Sequence, residues 1–213
     1  ECLDDPEIFA RDPVRFEIFR HFGYFVTESS THMAEYVPYF MKDQAEIERL
    51  SIKQRSGETF AGQQGGRKQM LEKAWKELDE SAPAIKRSNE YAAAIMHAME
   101  TNTACCIYGN VPNNGLISNL PEDSCVEVPC LINRAGLQPC HIGDLPPQCA
   151  ALCTTNINMQ RLVVRAILEE NREYAIHAAM LDPNTFSQLS LPQIRETMEK
   201  LLEAQSDLMP PLH

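Results

Sequence analysis

One histidine stands in a setting that could do chemistry. His32 follows the small hydroxyl residues Ser29, Ser30 and Thr31 and precedes an aromatic, apolar segment that ends at Phe40. A histidine side chain titrates at about pH 6.5 when unperturbed, so it can accept and return a proton near neutrality. The position therefore suits a general base at the lip of a pocket. The same pattern fits a half-buried histidine in the first turn of a helix, and the residues leave both interpretations open.

The segment GNVPNNGLISNL, residues 109–120, is rich in asparagine and glycine. Asn113, Asn114 and Gly115 are typical of a hairpin turn, because both residue types tolerate left-handed backbone conformations. The alternative is a loop that presents amide and backbone N–H groups to a polyhydroxylated ligand. Composition alone favours the turn.

Familiar motifs for nucleotides, nucleophiles and metals are missing. The sequence has no glycine-rich dinucleotide or phosphate-binding motif, no G-x-S-x-G and no H-E-x-x-H. Cys140, His141 and Asp144 resemble metal ligands, but adjacent strand residues point to opposite faces, which disfavours a shared ion. The eight cysteines contain no C-x-x-C pair. We expect them to be reduced thiols that pack as small apolar groups.

Helical patterns dominate the first hundred residues. Asp12 followed by Pro13 predicts a helix start, and Gly23 predicts its end. His32 then lies in the first turn of a short helix that ends before Pro38. Further helices are predicted over 43–55, 67–79 and 88–100, and the glycine-rich segment 56–66 is predicted to be a mobile loop, either a linker or a lid.

Strand patterns begin near Cys105. In the run CVEVPCLI, Val126, Val128 and Cys130 share one face, which predicts a half-buried strand. Pro129 within that run indicates an edge strand or a bulge, because proline donates no hydrogen bond to a ladder.

The chain is predicted to be helical again from Cys149. One helix carries an apolar stripe formed by Met159, Leu162, Val163, Ala166 and Ile167. Another begins at Asn171, and the SLPQ segment from Ser190 is a capping box that opens a last helix with Ile194, Met198, Leu201 and Leu202 buried. The whole pattern predicts one α+β domain over residues 1–213, with helices around a small antiparallel sheet.

Composition excludes several classes of protein. Hydrophobic residues make up 44% of the 213 residues and charged residues 23%, as in ordinary globular proteins. A net charge of −11 argues against a nucleic-acid partner. No apolar run reaches the roughly 18 residues of a membrane span, so no membrane partner is expected. The start at Glu1, without a leader, suggests processing or a fragment of a longer protein.

Four blocks of sequence, in order and over nearly the whole chain, resemble the carboxyl-terminal half of family 4 glycoside hydrolases, above all their α-galactosidase/α-glucosidase branch. The blocks are RFEIFRHFGYFVTESSTHMAEYVPYF, YGNVPNNGLISNLPEDSCVEVPCLI, GLQPCHIGDLPPQCAALCTTNIN and HAAMLDPNT. The resemblance is least certain over 56–66. It implies a fold similar to the carboxyl-terminal domain of lactate and malate dehydrogenases, with an NAD-binding Rossmann domain upstream of this chain.

The resemblance also implies a mechanism that departs from the usual pair of carboxylates. In the family, NAD⁺ takes hydride from C3 of the sugar, and the ketone acidifies the C2 proton. A base removes that proton, a divalent metal, usually manganese, stabilises the enediolate, and the C1–O bond is eliminated. Water then adds and the hydride returns. NAD and the Cys and His ligands of the metal are expected in the upstream half, so no cofactor or metal ligand is predicted in this chain.

Site residues follow from the same resemblance. His32 falls where relatives that cleave phosphorylated sugars have a catalytic Tyr, which makes His32 the predicted base or a ligand of the sugar. Tyr24 and Tyr36 are predicted to bind substrate, and Glu28 is a candidate for the lip of the site. An Arg that contacts phosphate in those relatives has its nearest candidates here in Arg49 and Arg55. Asn113 and Asn114 match a loop found throughout the family and are predicted to bind substrate or lie at a subunit contact.

The expected protein is a cytoplasmic α-glycosidase acting on α-galactosides or α-glucosides, most simply an α-galactosidase, and a homo-oligomer, dimer or tetramer. This chain alone is expected to be inactive. Two alternatives remain open: a non-catalytic module for oligomerisation or sugar binding, and a hydroxy-acid dehydrogenase relative. The dehydrogenase would need an Arg clamp for a carboxylate beside His32, which the sequence does not offer.

Overall fold

Helices flank a small sheet along the chain. The computed structural model describes residues 5–54, 57–80 and 88–213, with only the backbone at 57–65 and 79–80. The helices are α1 (Pro6–Phe9), α2 (Pro13–Phe22), α3 (Ser30–Tyr36), α4 (Gln44–Arg49), α5 (Gly57–Glu80), α6 (Ala92–Thr101), α7 (Pro147–Leu168), α8 (Arg172–Leu181), α9 (Pro183–Gln188) and α10 (Leu191–Ala204), and the strands are β1 (Cys105–Pro112), β2 (Cys125–Asn133) and β3 (Gly136–Pro139). The predicted α+β class is confirmed.

Two compact units divide the chain. The first contains Glu1–Ile52, Tyr108–Leu131 and Gln138–His213, and the second contains Lys53–Ile107 and Ile132–Leu137. All of the predicted site residues that the structure describes belong to the first unit. Among the described residues, no helix is both long and apolar enough to cross a membrane.

The predicted bounds of α2 and α3 are confirmed. Pro13 occupies the first position of α2, and Gly23 ends it with a φ of 80°, a conformation that glycine adopts without strain. Ser29 caps α3, where its Oγ accepts a hydrogen bond from the backbone N–H of His32 at 3.4 Å. His32 is therefore in the first turn of a helix, as predicted.

An apolar cluster of the first unit joins α2, α3 and α4. Its members are Val14, Ile18, Met33, Ala34, Val37, Phe40, Ile47, Leu50 and Ile52, all buried. Leu152 of α7 packs against this cluster and is partly buried. Burial at about 25 cal/mol per Å² of apolar surface makes such a cluster the main source of stability around α3.

Three helix bounds differ from prediction. The predicted loop over 56–66 is wrong from Gly57 onward, because α5 runs continuously through Glu80; Ser56 lies outside the described residues. Each glycine costs a helix only about 1 kcal/mol, and strong helix formers follow these glycines. The helix predicted over 43–55 ends at Arg49. The helix predicted over 88–100 begins only at Ala92.

The three strands form a sheet in the order β1-β2-β3. The predicted inward face of β2 is confirmed, because Val126, Val128 and Cys130 are buried. The predicted edge position of Pro129 is wrong, since β2 is the central strand. The backbone O of Pro129 accepts a hydrogen bond from the N–H of Cys140 at 2.8 Å, one residue beyond the end of β3. Its nitrogen faces the same side, where the ladder is ending, so the missing donor costs little.

The carboxyl-terminal helices α8, α9 and α10 pack on one another, and α8 packs on α7. The capping box at Ser190 is confirmed, because its backbone N–H donates to Gln193 Oε1 at 2.9 Å. Ile194 is buried as predicted. Leu201 is 46% exposed, so its predicted burial is wrong; it lies in the last turn of α10.

Candidate functional site

A cleft of about 590 Å³ opens in the first unit, beside α3. Most of its lining is apolar, and it comes from α2, the α2–α3 connection, α3, β2 and one face of α7. The polar side chains that reach it are Tyr24, Thr27, Glu28, Tyr36, Glu127, Asn156 and Gln160, together with the thiols of Cys125, Cys149 and Cys153. An apolar cleft with a few convergent polar groups is the usual form of a small-molecule site.

Arg15 of α2 holds the chain that leads into α3. Its Nε and Nη2 both donate to the backbone O of Val26, at 2.9 and 2.7 Å. Its Nη1 contacts Asp12 Oδ2 at 2.6 Å, and its guanidinium lies 4.2 Å from the ring centroid of Phe25. Ser30 Oγ donates to the other oxygen of Asp12. A forked guanidinium in this geometry fixes the position of the α2–α3 connection.

His32 and Glu28 form a pair one helical turn apart. His32 Nδ1 lies 3.1 Å from Glu28 Oε1, and the same oxygen accepts the backbone N–H of Ser29 at 2.7 Å. The Ser29 N–H first, and the His32 side chain second, lower the pKa of the Glu28 carboxyl. Glu28 lines the cleft, whereas His32 is not among the residues that line it and has a side chain that is 37% exposed.

Tyr24 and Tyr36 both line the cleft and are about half exposed. The rings of His32 and Tyr36 are 6.4 Å apart between centroids. Asn156 of α7 donates through Nδ2 to the backbone O of Tyr36 at 3.1 Å, which ties α7 to the end of α3. The structure thus brings Tyr24, Tyr36 and the Glu28–His32 pair to one region.

Asn113 and Asn114 do not line this cleft. Asn113 is fully buried; its Nδ2 donates to backbone oxygens of Ile117 and Leu120, both at 3.0 Å, and its Oδ1 accepts the N–H of Ile117 at 2.7 Å. Asn114 is exposed, with a φ of 40°. The predicted turn is confirmed by this geometry, and Asn113 holds it together. Substrate binding by the two asparagines stays a prediction.

The arginine candidates for a phosphate contact differ in what the structure shows. Arg49 donates to both carboxylate oxygens of Glu46, at 2.8 and 2.6 Å, and lies 3.5 Å from Glu17 Oε1. The hydrogen bonds to Glu46 are the largest cause of a raised Arg49 pKa. Arg49 is therefore engaged as a helix-surface ion pair. Arg55 lies outside the described residues.

Two thiols of α7 lie one turn apart on the cleft wall. Loss of water raises the pKa of both Cys149 and Cys153, and the neighbouring Cys149 raises that of Cys153 further. Both are free, as are the other cysteines that the structure describes. Neutral thiols are poor nucleophiles and poor metal ligands. We therefore expect Cys149 and Cys153 to line the cleft without reacting.

The residues described do not fit the family's cofactors. Across 5–54, 66–78 and 88–213, where side chains are described, no group of three or more His, Cys, Asp or Glu side chains is arranged to hold a metal ion. The sheet has three strands in hairpin order, without the parallel strand–turn–helix unit that binds a dinucleotide. Neither NAD nor manganese has a complete site in this part of the chain.

The sequence prediction missed the Arg15 network. Asp12 is the N-cap residue of α2 by position, but its carboxylate makes no cap hydrogen bond and engages Arg15 and Ser30 instead. The three-residue spacing of Asp12 and Arg15 on one helix face was a usable signal. The four-residue spacing of Glu28 and His32 was another, and it would have paired the candidate base with a specific carboxylate.

Comparison with known proteins gives consistent matches. The family 4 glycosyl hydrolase C-terminal domain matches residues 3–185. An alpha-galactosidase of Bacillus subtilis (strain 168) is 40% identical over 200 residues, which cover 93% of this chain and 46% of that protein. An alpha-galactosidase of Rhizobium meliloti (strain 1021) is 30% identical over 216 residues, covering 96% of this chain and 44% of that protein. The chain thus spans less than half the length of these relatives.

Solved structures share the fold. A 6-phospho-alpha-glucosidase from gut microorganisms, in complex with NAD and Mn²⁺, superposes with a TM-score of 0.71 at 17% identity, over 98% of this chain and 45% of that one. A 6-phospho-beta glucosidase from Thermotoga maritima gives a TM-score of 0.60 at 19% identity, over 97% of this chain and 48% of that one.

Proposed function

The chain belongs to family 4 of the glycosyl hydrolases, and we propose that it is the carboxyl-terminal half of an NAD- and Mn-dependent α-glycosidase. The substrate class is α-galactosides, ahead of α-glucosides, and the reaction takes place in the cytoplasm. The observation that carries this proposal is the 40% identity to an alpha-galactosidase over 93% of the chain. The complexes of a fold relative with NAD and Mn²⁺ support the choice of cofactors.

His32 is the residue that handles the proton at C2 of the sugar. It lies beside the cleft, its ring is held by Glu28, and Tyr24 and Tyr36 provide hydroxyl and ring surface for a sugar. An imidazole can both accept and return a proton, which both halves of a proton transfer require. NAD and manganese are bound mainly by the amino-terminal half of the full-length protein.

The test uses the full-length protein with NAD⁺, Mn²⁺ and reductant. Hydrolysis of p-nitrophenyl α-galactoside and α-glucoside is measured together with solvent deuterium exchange at C2, for the wild type, His32→Ala and His177→Ala. His177 is the matched control, because it also pairs with a Glu four residues earlier, but that Glu173, unlike Glu28, does not line the cleft.

We expect cofactor-dependent activity on the galactoside, and loss of both activity and exchange in His32→Ala alone. If deuterium exchange at C2 persists in His32→Ala, His32 is not the base and is only a histidine in the first turn of a helix. Absence of activity on both sugars would favour the non-catalytic module.

Oligomerisation belongs to the same proposal. Val163, Val164, Ile167 and Leu168 at the end of α7 are 45%, 55%, 44% and 77% exposed, and together they form an apolar patch. Such patches mark contacts between protein chains. We expect light scattering to give the mass of a dimer or tetramer for the full-length protein, and a smaller mass for Leu168→Glu.

A further inference from the structure

We propose that Glu127 is a specificity-determining residue, which makes the cleft beside α3 select neutral glycosides and reject those that carry a phosphate. The inference rests on the proposed function, because it concerns the sugar bound in the same cleft. It adds a residue of β2 to the site and states which charge the substrate carries.

The fold alone does not decide the charge of the sugar. Two relatives that share it are a 6-phospho-alpha-glucosidase and a 6-phospho-beta glucosidase. The relatives with 40% and 30% sequence identity are alpha-galactosidases, whose names state no phosphate. The discrimination must therefore be sought in the side chains that line the cleft.

Glu127 brings an unpaired carboxylate to the cleft. It lies in β2 between the buried residues Val126 and Val128, and it is exposed and lines the cleft. Strand alternation explains this placement, because successive side chains point to opposite faces. The Glu127 carboxylate forms no hydrogen bond or ion pair with any residue that the structure describes. Its negative charge therefore acts on whatever enters the cleft.

The other charged side chain in the lining has the same sign. Glu28 lines the cleft from the α2–α3 connection, and its pKa is lowered, so it is ionised at neutral pH. Among the described residues that line the cleft, none is Lys, Arg or His. Arg15 packs on Phe25 of that lining, but its guanidinium is already paired with Asp12.

Two physical effects then disfavour a phosphorylated sugar. A phosphate carries a charge of about −1.5 to −2 at pH 7, and the carboxylates repel it. The mostly apolar lining also removes water from the phosphate without offering a cation in return, which is costly. A neutral sugar meets neither penalty. Its hydroxyl groups can donate to the carboxylate of Glu127 and bind the side chains of Tyr24 and Gln160, which also line the cleft.

The experiment compares two substrates of different charge. The full-length protein, with NAD⁺, Mn²⁺ and reductant, is given p-nitrophenyl α-galactoside or its 6-phosphate, and kcat/KM is measured for each. Glu127→Gln removes the charge at nearly constant size, and Glu127→Lys reverses it. Glu122→Gln is the matched control, because Glu122 is also exposed and precedes β2 in the same unit but does not line the cleft. Thermal unfolding checks that each variant is folded.

We expect the wild type to favour the neutral galactoside. The ratio of kcat/KM, neutral over phosphorylated, should fall by about 5–10-fold in Glu127→Gln, as for one charge removed near a phosphate. It should fall further in Glu127→Lys and stay at the wild-type value in Glu122→Gln. A second measurement needs no variant: added salt should lower the same ratio in the wild type, because it screens the repulsion.

The inference is overturned if the wild type hydrolyses both substrates equally well, or if the ratio is the same in the wild type, Glu127→Gln and Glu127→Lys. An equal change in Glu122→Gln would also overturn it, because the effect would then come from the net charge of the protein. In each of these cases hydrolysis of the neutral galactoside persists and the proposed function stands. Absence of hydrolysis of both substrates by the wild type would instead overturn the proposed function, and the inference with it.

Discussion

The α2–α3 connection and the asparagine turn use polar side chains in opposite ways. In the turn, Asn113 is fully buried and its amide is engaged with backbone groups of Ile117 and Leu120. In the connection, Glu28 and His32 bind each other while remaining 43% and 37% exposed beside a cleft. Both regions are polar in sequence. The amide of Asn113 nevertheless points inward, whereas the side chains of Glu28 and His32 stay partly exposed to solvent.

Burial explains the difference. A buried amide left without partners costs several times what a satisfied one contributes, so Asn113 must bond within the turn. Near the cleft, water can satisfy whatever Glu28 and His32 do not bind, which leaves those groups available for a ligand. Substitutions in the turn should therefore change stability, and substitutions near the cleft should change function more than stability.

The largest effect on stability is expected for Asn113→Ala. The change leaves the N–H of Ile117 without its partner and removes the Asn113 amide from the carbonyls of Ile117 and Leu120, at an expected cost of about 2–4 kcal/mol in the free energy of unfolding. Urea unfolding followed by circular dichroism measures it. Asn114→Gly is the control, because glycine accepts the positive φ of 40° and should unfold within about 0.5 kcal/mol of the wild type.

A substrate contact by Asn113 would appear differently. If Asn113→Ala unfolds like the wild type while KM for the galactoside rises, Asn113 contacts the substrate instead of stabilising the turn. The contrast drawn between the turn and the α2–α3 connection would then be wrong.

A smaller effect is expected for Arg15. Arg15→Lys keeps the charge but loses the fork on the backbone O of Val26, and should cost about 1–2 kcal/mol in the free energy of unfolding. Hydrogen exchange at Ser29, whose N–H donates to Glu28, should speed up because the connection is no longer held. Arg161→Lys, in an exposed pair with Asp123, is the control and should be close to neutral.

If Arg15→Lys is destabilised but hydrogen exchange at Ser29 is unchanged, Arg15 does not hold the α2–α3 connection in place. The loss of stability would then come from the lost packing of the guanidinium on Phe25.

The sequence predicts local features well and tertiary pairings poorly. The place of His32 in a first helical turn, the stop at Gly23 and the buried face of β2 each follow from a few adjacent residues, and each is confirmed. The central place of β2 depends on neighbours distant in sequence, and the edge position was predicted wrongly. The continuity of α5 was also predicted wrongly, because the cost of its glycines was overestimated against the helix formers that follow them. At the site, residue types indicated His32 as a candidate base, and the family resemblance indicated the two tyrosines; their roles stay predictions. The Arg15 fork joins α2 to a carbonyl eleven residues away, which no periodicity shows.

The smallest effect concerns the pH dependence of stability at Glu28. Its pKa is lowered in the folded state, chiefly by the N–H of Ser29 and then by His32. A depressed carboxyl pKa contributes stability above the unfolded pKa of about 4.3, and that contribution is lost as the pH falls through the lower, folded pKa. Because the side chain is 43% exposed, solvent screening limits the contribution to on the order of 0.5 kcal/mol.

Two substitutions at Ser29 separate the causes. Ser29 has a φ of −63°, so Ser29→Pro is sterically compatible there and removes the N–H that Glu28 accepts, whereas Ser29→Ala removes the cap hydroxyl and keeps that N–H. Carboxyl ¹³C titration should show the Glu28 pKa rising toward its ordinary value in Ser29→Pro and staying low in Ser29→Ala. Equal titration in both variants would mean that His32, rather than the N–H of Ser29, lowers the pKa of Glu28. The two groups would then have to be analysed as one titrating pair.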